Sequence, residues 1–326
     1  MNDKKNLRCR VETGGSKLNS FQENQYLCKV VICKSKDFDS KMQTSKVKLH
    51  KIEAGTFFAD GGAVFGVVPK KVWQKRYPCN EENFCTLGMR CLVIKTPERL
   101  IVVDTGTGEK QLDYLKYYQF KDVVNFETEL QKLGYSADEV TDVVLTHLHF
   151  DHCGTCTHFN EDKSEIVLTF PNADYWVGKT QWENFLNPNV REGDSYFPEN
   201  MLPVQEAGRL KLVDEAQLIC PEVEVKIYNG HTVGQLAPYV NLGSKTLVYT
   251  GDVIPIMASI PIAWVSAYDT QPILSMEDKE RMLSEAVKEK QVLFFEHDIY
   301  NECCTVHQVN GKYRVDETFT LEDLVY

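Results

Sequence analysis

Four side chains of the kind that bind metal ions stand close together in residues 146–154. They are His147, His149, Asp151 and His152. The chain contains only eight histidines in 326 residues, so three of them within six positions would rarely arise by chance. Clustered imidazole and carboxylate groups are ligands that zinc and similar divalent ions accept. The cluster therefore predicts a metal site.

An apolar run at residues 143–145 comes directly before this cluster and is typical of a buried strand. Side chains of a strand alternate between its two faces, so His147 and His149 would point the same way and could hold one ion. Asp151 and His152 lie beyond the predicted strand, where side chains no longer alternate between two faces. These two side chains could therefore point at a second position.

Five apolar runs, that at residues 143–145 included, each end at a polar residue that can bind a metal or orient a ligand. The residues at these ends are Asp104, His147, His231, Asp252 and His297. Strands that alternate with helical segments indicate a layered α/β architecture. Polar residues gathered at strand ends, on loops held by a rigid sheet, are typical of a functional site.

Composition limits the classes of partner. A hydrophobic content of 43% suits a large core, in one large domain or two. The net charge of −11 disfavours nucleic acid, because binding phosphates needs a basic face.

No apolar run approaches the roughly 20 residues of a membrane span, and the polar start does not look like a signal peptide. We expect a cytoplasmic protein with no nucleic-acid or membrane partner, and its eleven cysteines suit reduced thiols.

The chain divides by composition into two parts. Residues 1–45 are rich in Lys, Ser, Asn and Gln, and we interpret them as an N-terminal extension whose composition is compatible with disorder. The globular pattern begins next. Residues 46–326 are predicted to form the domain that carries the cluster.

Three segments of this domain have predicted local structures. Residues 275–290 are expected to form a helix that begins with a capping box of Ser275 and Asp278. Residues 187–203 are expected to form a long polar and aromatic loop, which could cover a substrate or simply connect elements. Residues 57–69 are expected to form a tightly turning loop, whose aromatic side chains could line a pocket or only pack.

Taken together, the motifs resemble those of the metallo-β-lactamase superfamily of hydrolases. In chain order they are Asp104-Thr105-Gly106, His147-x-His149-x-Asp151-His152, Gly230-His231, Gly251-Asp252 and His297. The resemblance covers residues 104–297, and the order of the motifs is that of the superfamily. It implies an α/β fold, a four-layer αββα sandwich.

The resemblance also implies an assignment of ligands to two divalent metal ions, zinc foremost. The first ion would be held by His147, His149 and His231. The second would be held by Asp151, His152 and His297. Asp252 would bridge both ions and Asp104 would orient the ligands through hydrogen bonds. Asp151 and Asp252 would be the catalytic carboxylates beside a bridging hydroxide.

Within the superfamily, the chain is most similar to the quorum-quenching lactonases that open N-acyl homoserine lactones. Residues 57–69, the form Thr-His-Leu-His-Phe-Asp-His and residues 262–269 carry this similarity. It implies that Phe150 and Tyr268 contact the substrate. Some of these lactonases place a catalytic Tyr three residues after the bridging Asp. That position is Pro255 here, so a hydrogen-bond donor would come from elsewhere, with Tyr268 as the candidate.

These features leave three functions open. The leading hypothesis is a dinuclear hydrolase that opens a lactone or a related ester, with a small molecule as partner and a homodimer as a compatible assembly. The same site could instead hydrolyse a phosphoester or an organophosphate, since two ions also act on phosphoryl centres. The third hypothesis is a metal-binding scaffold without catalysis. All seven ligand positions are filled, which disfavours the scaffold.

Overall fold

The structure is a computed structural model that describes residues 47–324. The predicted extension, residues 1–45, therefore lies outside the described residues. Among the helices of the described part, none is long and apolar enough to cross a membrane.

A six-stranded sheet forms one half of the described domain. Its strands are β1 (Lys48–Asp60), β2 (Phe84–Lys95), β3 (Leu100–Val103), β4 (Asp142–Val144), β7 (Asp174–Gly178) and β8 (Leu210–Val213). They lie side by side in the order β1-β2-β3-β4-β7-β8. β1, β2 and β3 pair antiparallel, whereas β3, β4, β7 and β8 run parallel. The parallel strands therefore present their carboxyl ends at the same edge of the sheet.

A seven-stranded sheet forms the other half. Its strands are β9 (Gln217–Cys220), β10 (Val223–Tyr228), β11 (Gln235–Asn241), β12 (Thr246–Tyr249), β13 (Val292–Phe294), β14 (Cys303–Val309) and β15 (Lys312–Phe319). They lie in the order β15-β14-β13-β12-β11-β10-β9. β12 and β13 form its parallel pair, so the ends of these two strands also meet. A small separate sheet pairs β5 (Thr157–Phe159) with β6 (Ile166–Leu168).

The two large sheets pack face to face through one apolar core. Leu92 and Val103 of the first sheet lie in the same buried cluster as Val225 and Phe294 of the second. All four side chains are fully buried. Because short strands buried on both faces read as continuous apolar runs, β3 and β13 were recognisable in the sequence.

The described part of the chain contains seven α-helices, and the larger ones pack on the outer faces of the two sheets. The seven are α1 (Gly61–Phe65), α2 (Lys70–Trp73), α3 (Phe126–Lys132), α4 (Phe150–Cys153), α5 (Lys179–Leu186), α6 (Pro198–Glu206) and α7 (Pro272–Glu289). Phe126 and Leu130 of α3 pack on the first sheet, whereas Met282 and Leu283 of α7 pack on the second. The layers are helix, sheet, sheet and helix. The predicted four-layer αββα fold is therefore confirmed.

The predicted start of the last helix is wrong. α7 begins at Pro272. Proline is common at the first position of a helix, because the N–H that it lacks would find no acceptor within the helix there. Asp278 does not cap this helix. Its Oδ2 atom accepts hydrogen bonds from the backbone of Asn229 and Gly230, at 2.6 and 2.8 Å. The sequence pattern was misread because Asp278 holds a neighbouring strand end.

The two predicted loops are each shorter than expected. Residues 57–60 continue β1, in which Phe57 and Ala59 are buried on one face. Residues 198–203 belong to α6, which starts at Pro198 and tolerates Pro203 in its interior. The remaining irregular segment, residues 187–197, lies between α5 and α6.

Candidate metal centre

The candidate ligands follow the carboxyl ends of strands from both sheets. Asp104 comes directly after β3, and four further candidates each lie three residues after a strand end. These four are His147 after β4, His231 after β10, Asp252 after β12 and His297 after β13. β3 runs parallel to β4, and β12 runs parallel to β13 and in the same direction as β10. Since His231 lies 3.3 Å from His149 and Asp252 lies 3.8 Å from His152, the five loops emerge at the same end of the sandwich.

The His-rich motif bridges a strand end and a helix start. β4 ends at Val144 and α4 begins at Phe150, so His147 and His149 lie on the connecting loop. Leu148 between them is buried, and its backbone N–H donates to Oε1 of Gln181 at 3.1 Å. Asp151 and His152 lie in the first turn of α4. This change from loop to helix turns the second pair of side chains toward a different point.

Three imidazole nitrogens converge in a first set. Nδ1 of His149 lies 3.0 Å from Nε2 of His147 and 3.3 Å from Nε2 of His231. The three atoms could contact a single ion placed between them. Three histidines with further positions open to water or substrate are a ligand set that zinc enzymes use.

A second set lies beside the first. Oδ2 of Asp151 is 3.7 Å from Nε2 of His152 and 3.9 Å from Nε2 of His297. These three side chains are buried, and their ligand atoms could also surround one ion. The separations exceed a hydrogen bond, which leaves room for a cation at the centre.

The carboxylate of Asp252 faces both sets. Its Oδ2 atom lies 3.2 Å from Nε2 of His231. Its Oδ1 atom lies 2.9 Å from Nε2 of His297 and 3.8 Å from Nε2 of His152. One oxygen is therefore directed at each set, as a bridging ligand would require.

The donor atoms fit divalent cations. Nε2 of His152 is buried and forms no hydrogen bond with any described residue, although a buried polar atom normally has a partner. A cation between this nitrogen and the carboxylates would satisfy it. The donors are imidazoles and carboxylates without thiolates, a combination that suits zinc and neighbouring first-row ions.

Three of the ligand imidazoles are held from behind by an acceptor. Nε2 of His149 lies 3.3 Å from Oε1 of Glu192, and Nδ1 of His231 lies 2.9 Å from Oδ1 of Asp269. Nδ1 of His297 donates to the backbone carbonyl of Gly88 at 2.7 Å. Such partners fix the tautomer and the ring orientation, so that the opposite nitrogen is free to bind a metal.

Two carboxylates stand behind His152. Its Nδ1 atom is 3.0 Å from Oδ2 of Asp104 and 3.0 Å from Oε2 of Glu296. Asp104 is fixed in turn by Thr146, whose backbone N–H and hydroxyl each donate to it at 2.7 Å. The structure thus places Asp104 where a residue that orients His152 would lie.

The protonation states of two central ligands suit metal binding. Burial lowers the pKa of His147 well below its usual value, and the neighbouring imidazoles lower it further. Burial alone would raise the pKa of Asp252, but His297, His231 and His152 hold it well below the ordinary range. A neutral imidazole and an ionised carboxylate are the forms that coordinate a cation.

A cavity of about 410 Å³ opens above the two sets. Phe150 and Tyr268, both predicted to contact substrate, line it, and the ring of Phe150 lies 5.1 Å from that of Tyr118. Further lining residues are Phe57, Val64, Leu87, Pro255 and Ile256. The apolar wall ends at the polar ligand sets, an arrangement that would hold an apolar group above the metal centre.

Several residues that touch this site were not predicted from the sequence. Glu192 and Asp269 support ligand imidazoles, Glu296 stands behind His152, and Tyr118 lines the cavity. Glu296 directly precedes the predicted ligand His297, a proximity that could have been noticed. Glu192 lies in an irregular segment without a period, so no pattern marked it.

Comparisons with known proteins agree with this geometry. The sequence profile described as the Metallo-beta-lactamase superfamily matches residues 90–297, which is more than half of the chain. The chain belongs to the metallo-β-lactamase superfamily. It is accordingly a metal-dependent hydrolase, as predicted.

Individual relatives are more distant. An N-acyl homoserine lactonase from Bacillus cereus is 23% identical over 240 residues, which cover 68% of this chain and 85% of the relative. The structure of a probable metal-dependent hydrolase from Staphylococcus aureus is 26% identical, with a TM-score of 0.78, and the match covers 86% of this chain and 99% of that one. The dizinc quorum-quenching lactonase AidC is 19% identical, with a TM-score of 0.70 over 85% of this chain and 97% of its own. At that identity, the likeness shows the fold alone.

The buried position of Glu192 generates a prediction about metal affinity. Its carboxylate accepts from Tyr196 at 2.9 Å and from Asn184 at 3.0 Å, and it faces His149. Replacing a partner of this kind weakens metal binding by about 10- to 100-fold. We therefore expect Glu192→Gln to weaken zinc binding by that factor, in competition with a chromogenic chelator.

Asp194→Asn provides the matched control, because Asp194 is exposed on the same segment. This variant should bind zinc like the unmodified protein. Equal zinc affinities of Glu192→Gln and Asp194→Asn would show that Glu192 does not support His149.

Proposed function

We propose that the protein is a dinuclear metal-dependent hydrolase that opens a lactone or a related ester. The observation that carries this proposal is the position of Asp252, whose two carboxylate oxygens face two separate ligand sets. A single-ion site would not require the second set. The catalytic unit corresponds to the predicted domain of residues 46–326.

The proposed ligand assignment follows the two sets. His147, His149 and His231 would hold one ion, and Asp151, His152 and His297 the other. Asp252 would contact both. Zinc is the metal we propose, since the donors are nitrogen-rich and contain no thiolate. When bound, two such ions supply an activated water molecule and polarise the oxygen of the substrate.

The protein's own side chains would prepare the site for this chemistry. Asp151 and Asp252 place negative charge beside the cations and so restrict where a water molecule can bind. Asp269 and Glu192 hold the imidazoles of His231 and His149 in place. A site whose groups are already oriented does not have to reorganise during the reaction.

The cavity supports an ester with an apolar portion. Phe150, within the ligand motif, is 6% exposed, and its ring lies 5.1 Å from that of Tyr118. An acyl chain on this wall would place its carbonyl group above the metal centre. Binding energy from a remote apolar group can in this way be used to orient the reacting bond.

The hydrogen-bond donor is proposed to be a tyrosine. Pro255 lines the cavity where some lactonases carry a catalytic Tyr, and it has no hydroxyl. Tyr268 and Tyr118 both line the same cavity. Burial raises the pKa of Tyr118 to about 12 and also raises the pKa of Tyr268. Both hydroxyls are thus protonated at neutral pH and able to donate, and we assign the contact with the substrate to Tyr268.

Removal of one ligand tests the metal-dependent step. In His149→Ala, the metal content should fall from two ions per chain toward one. The rate of hydrolysis should fall by at least about a thousandfold, because the ligands act as a unit and the loss of one disables the whole centre. Metal analysis and an ester assay measure these two effects. His307→Ala is the control, because His307 lies on β14, away from both sets.

The contrary result would be full activity in His149→Ala protein that has lost its metal. In that case the histidine set would not be needed for hydrolysis, and the dinuclear assignment would be wrong.

A substrate panel tests the chemical class. We expect N-acyl homoserine lactones, or aryl esters with an apolar acyl group, to be hydrolysed with a higher kcat/KM than phosphodiesters and phosphotriesters. The reason is that the cavity wall offers apolar contacts for an acyl chain. If only the phosphorus esters turned over, the phosphoester alternative would replace the lactone assignment.

A further inference from the structure

Four segments surround the mouth of the cavity, and we call them the mouth rim. They are residues 60–76, 113–121, 190–197 and 264–268. Each segment contributes side chains to the cavity, so the rim and the cavity wall are continuous. One lining residue from each, in chain order, is Val64, Tyr118, Ser195 and Tyr268.

The first and the last of these segments contact each other directly. The backbone N–H of Ala267 donates to the carbonyl of Ala63 at 2.8 Å. The guanidinium of Arg76 lies 4.5 Å from the ring centre of Trp264. Gly66 adopts a left-handed φ of 54°, and a Cβ there would lie 2.5 Å from the carbonyl oxygen of Val265.

The other two segments complete the rim. The ring of Tyr114 lies 5.6 Å from that of Phe197. Tyr118 and Tyr268 line the same cavity, which places residues 113–121 near residues 264–268. The four segments therefore form one surface rather than four separate loops.

This surface is unusually apolar for a part that is exposed to water. Thirteen large apolar side chains are exposed in the described part of the chain, and six of them lie on the mouth rim: Val67, Val72, Tyr114, Tyr117, Val190 and Tyr268. Val67 is 93% exposed and Val190 is fully exposed. Single exposed apolar residues are ordinary, but a group of them next to an apolar cavity marks a binding surface.

The rim also carries more basic than acidic residues, although the whole chain has 36 basic and 47 acidic residues. Its seven basic side chains are Lys70, Lys71, Lys75, Arg76, Lys116, Lys121 and Arg191. Its four acidic residues include Glu192, which is buried behind His149, and Asp60, which caps α1. Within residues 47–324, none of the seven cations forms an ion pair with a carboxylate.

Exposed valine and tyrosine side chains beside unpaired lysines match the surface of a bilayer. Tyrosine is enriched where membrane and water meet, aliphatic side chains insert between the lipids, and lysine binds anionic head groups. Lysine is instead depleted in protein interfaces. A second copy that docked symmetrically through its own rim would also bring the same positive charge against it.

We propose that the mouth rim binds an anionic lipid surface, with the cavity opening toward it. An amphiphilic substrate could then pass from the lipid into the cavity without crossing water. This proposal goes beyond the hydrolytic function and does not depend on it. It differs from the expectation that the protein has no membrane partner, since peripheral binding requires no spanning helix.

Vesicle sedimentation with the full chain tests the proposal. We expect binding to phosphatidylcholine vesicles with about 30% phosphatidylglycerol, much weaker binding to phosphatidylcholine alone, and weakening by salt. Lys70→Gln with Lys71→Gln should lower the partition coefficient roughly 25-fold, at about fivefold for each charge. Val67→Ser with Val190→Ser should lower it roughly tenfold.

Matched controls carry the same changes elsewhere. The control pairs are Lys245→Gln with Lys312→Gln and Leu218→Ser with Val309→Ser. They alter exposed residues on strands of the seven-stranded sheet and, for Lys245, on the turn between β11 and β12, and these variants should bind vesicles like the unmodified chain. Unchanged melting temperatures confirm that the variants fold.

The proposal would be overturned if the protein did not bind anionic vesicles, or if the rim variants and the control variants lost vesicle binding equally. It would also be overturned if the protein formed a dimer that the rim changes abolished, while the unmodified protein did not bind vesicles. Because sedimentation needs no turnover, failure of this proposal is distinguishable from failure of the proposed hydrolysis.

Discussion

Both halves of the site depend on one carboxylate, that of Asp252. It follows β12, which lies in the second sheet, yet its oxygens face imidazoles that come from loops of both sheets. A buried carboxylate without positive charge nearby would be costly. The imidazoles around Asp252 stabilise its ionised form, and two cations would do so further. At this end the two sheets therefore approach each other around an ionised carboxylate and the imidazoles that stabilise it.

The remainder of the site restricts how the ligands can move. Parallel pairing of β3 with β4, and of β12 with β13, brings loops from each sheet to the same end of the sandwich. Behind the ligands, Glu192, Asp269 and Asp104 hold imidazole nitrogens in place. The helix α7 reaches the same region, since Asp278 binds the backbone just before His231. Fold and site are thus connected through hydrogen bonds as well as through packing.

Sequence patterns were informative where chemistry and periodicity coincided. The apolar runs of β3, β4, β12 and β13 predicted buried strands, and the polar residue after each predicted the edge at which the ligands meet. The pattern could not find Glu192, since its role depends on the path of an irregular segment. Asp278 was misread for a related reason: an acid near a helix start can cap its own helix or bind a neighbouring chain, and only the tertiary structure distinguishes the two.

A crystal structure of zinc-loaded protein, with anomalous diffraction recorded at the zinc edge, is the most direct test of the dinuclear centre. We expect two peaks, about 3.5–4 Å apart. One should lie among His147, His149 and His231, the other should lie beside His152, and an oxygen of Asp252 should contact each. A single peak, or an Asp252 that contacts only one ion, would contradict the dinuclear assignment.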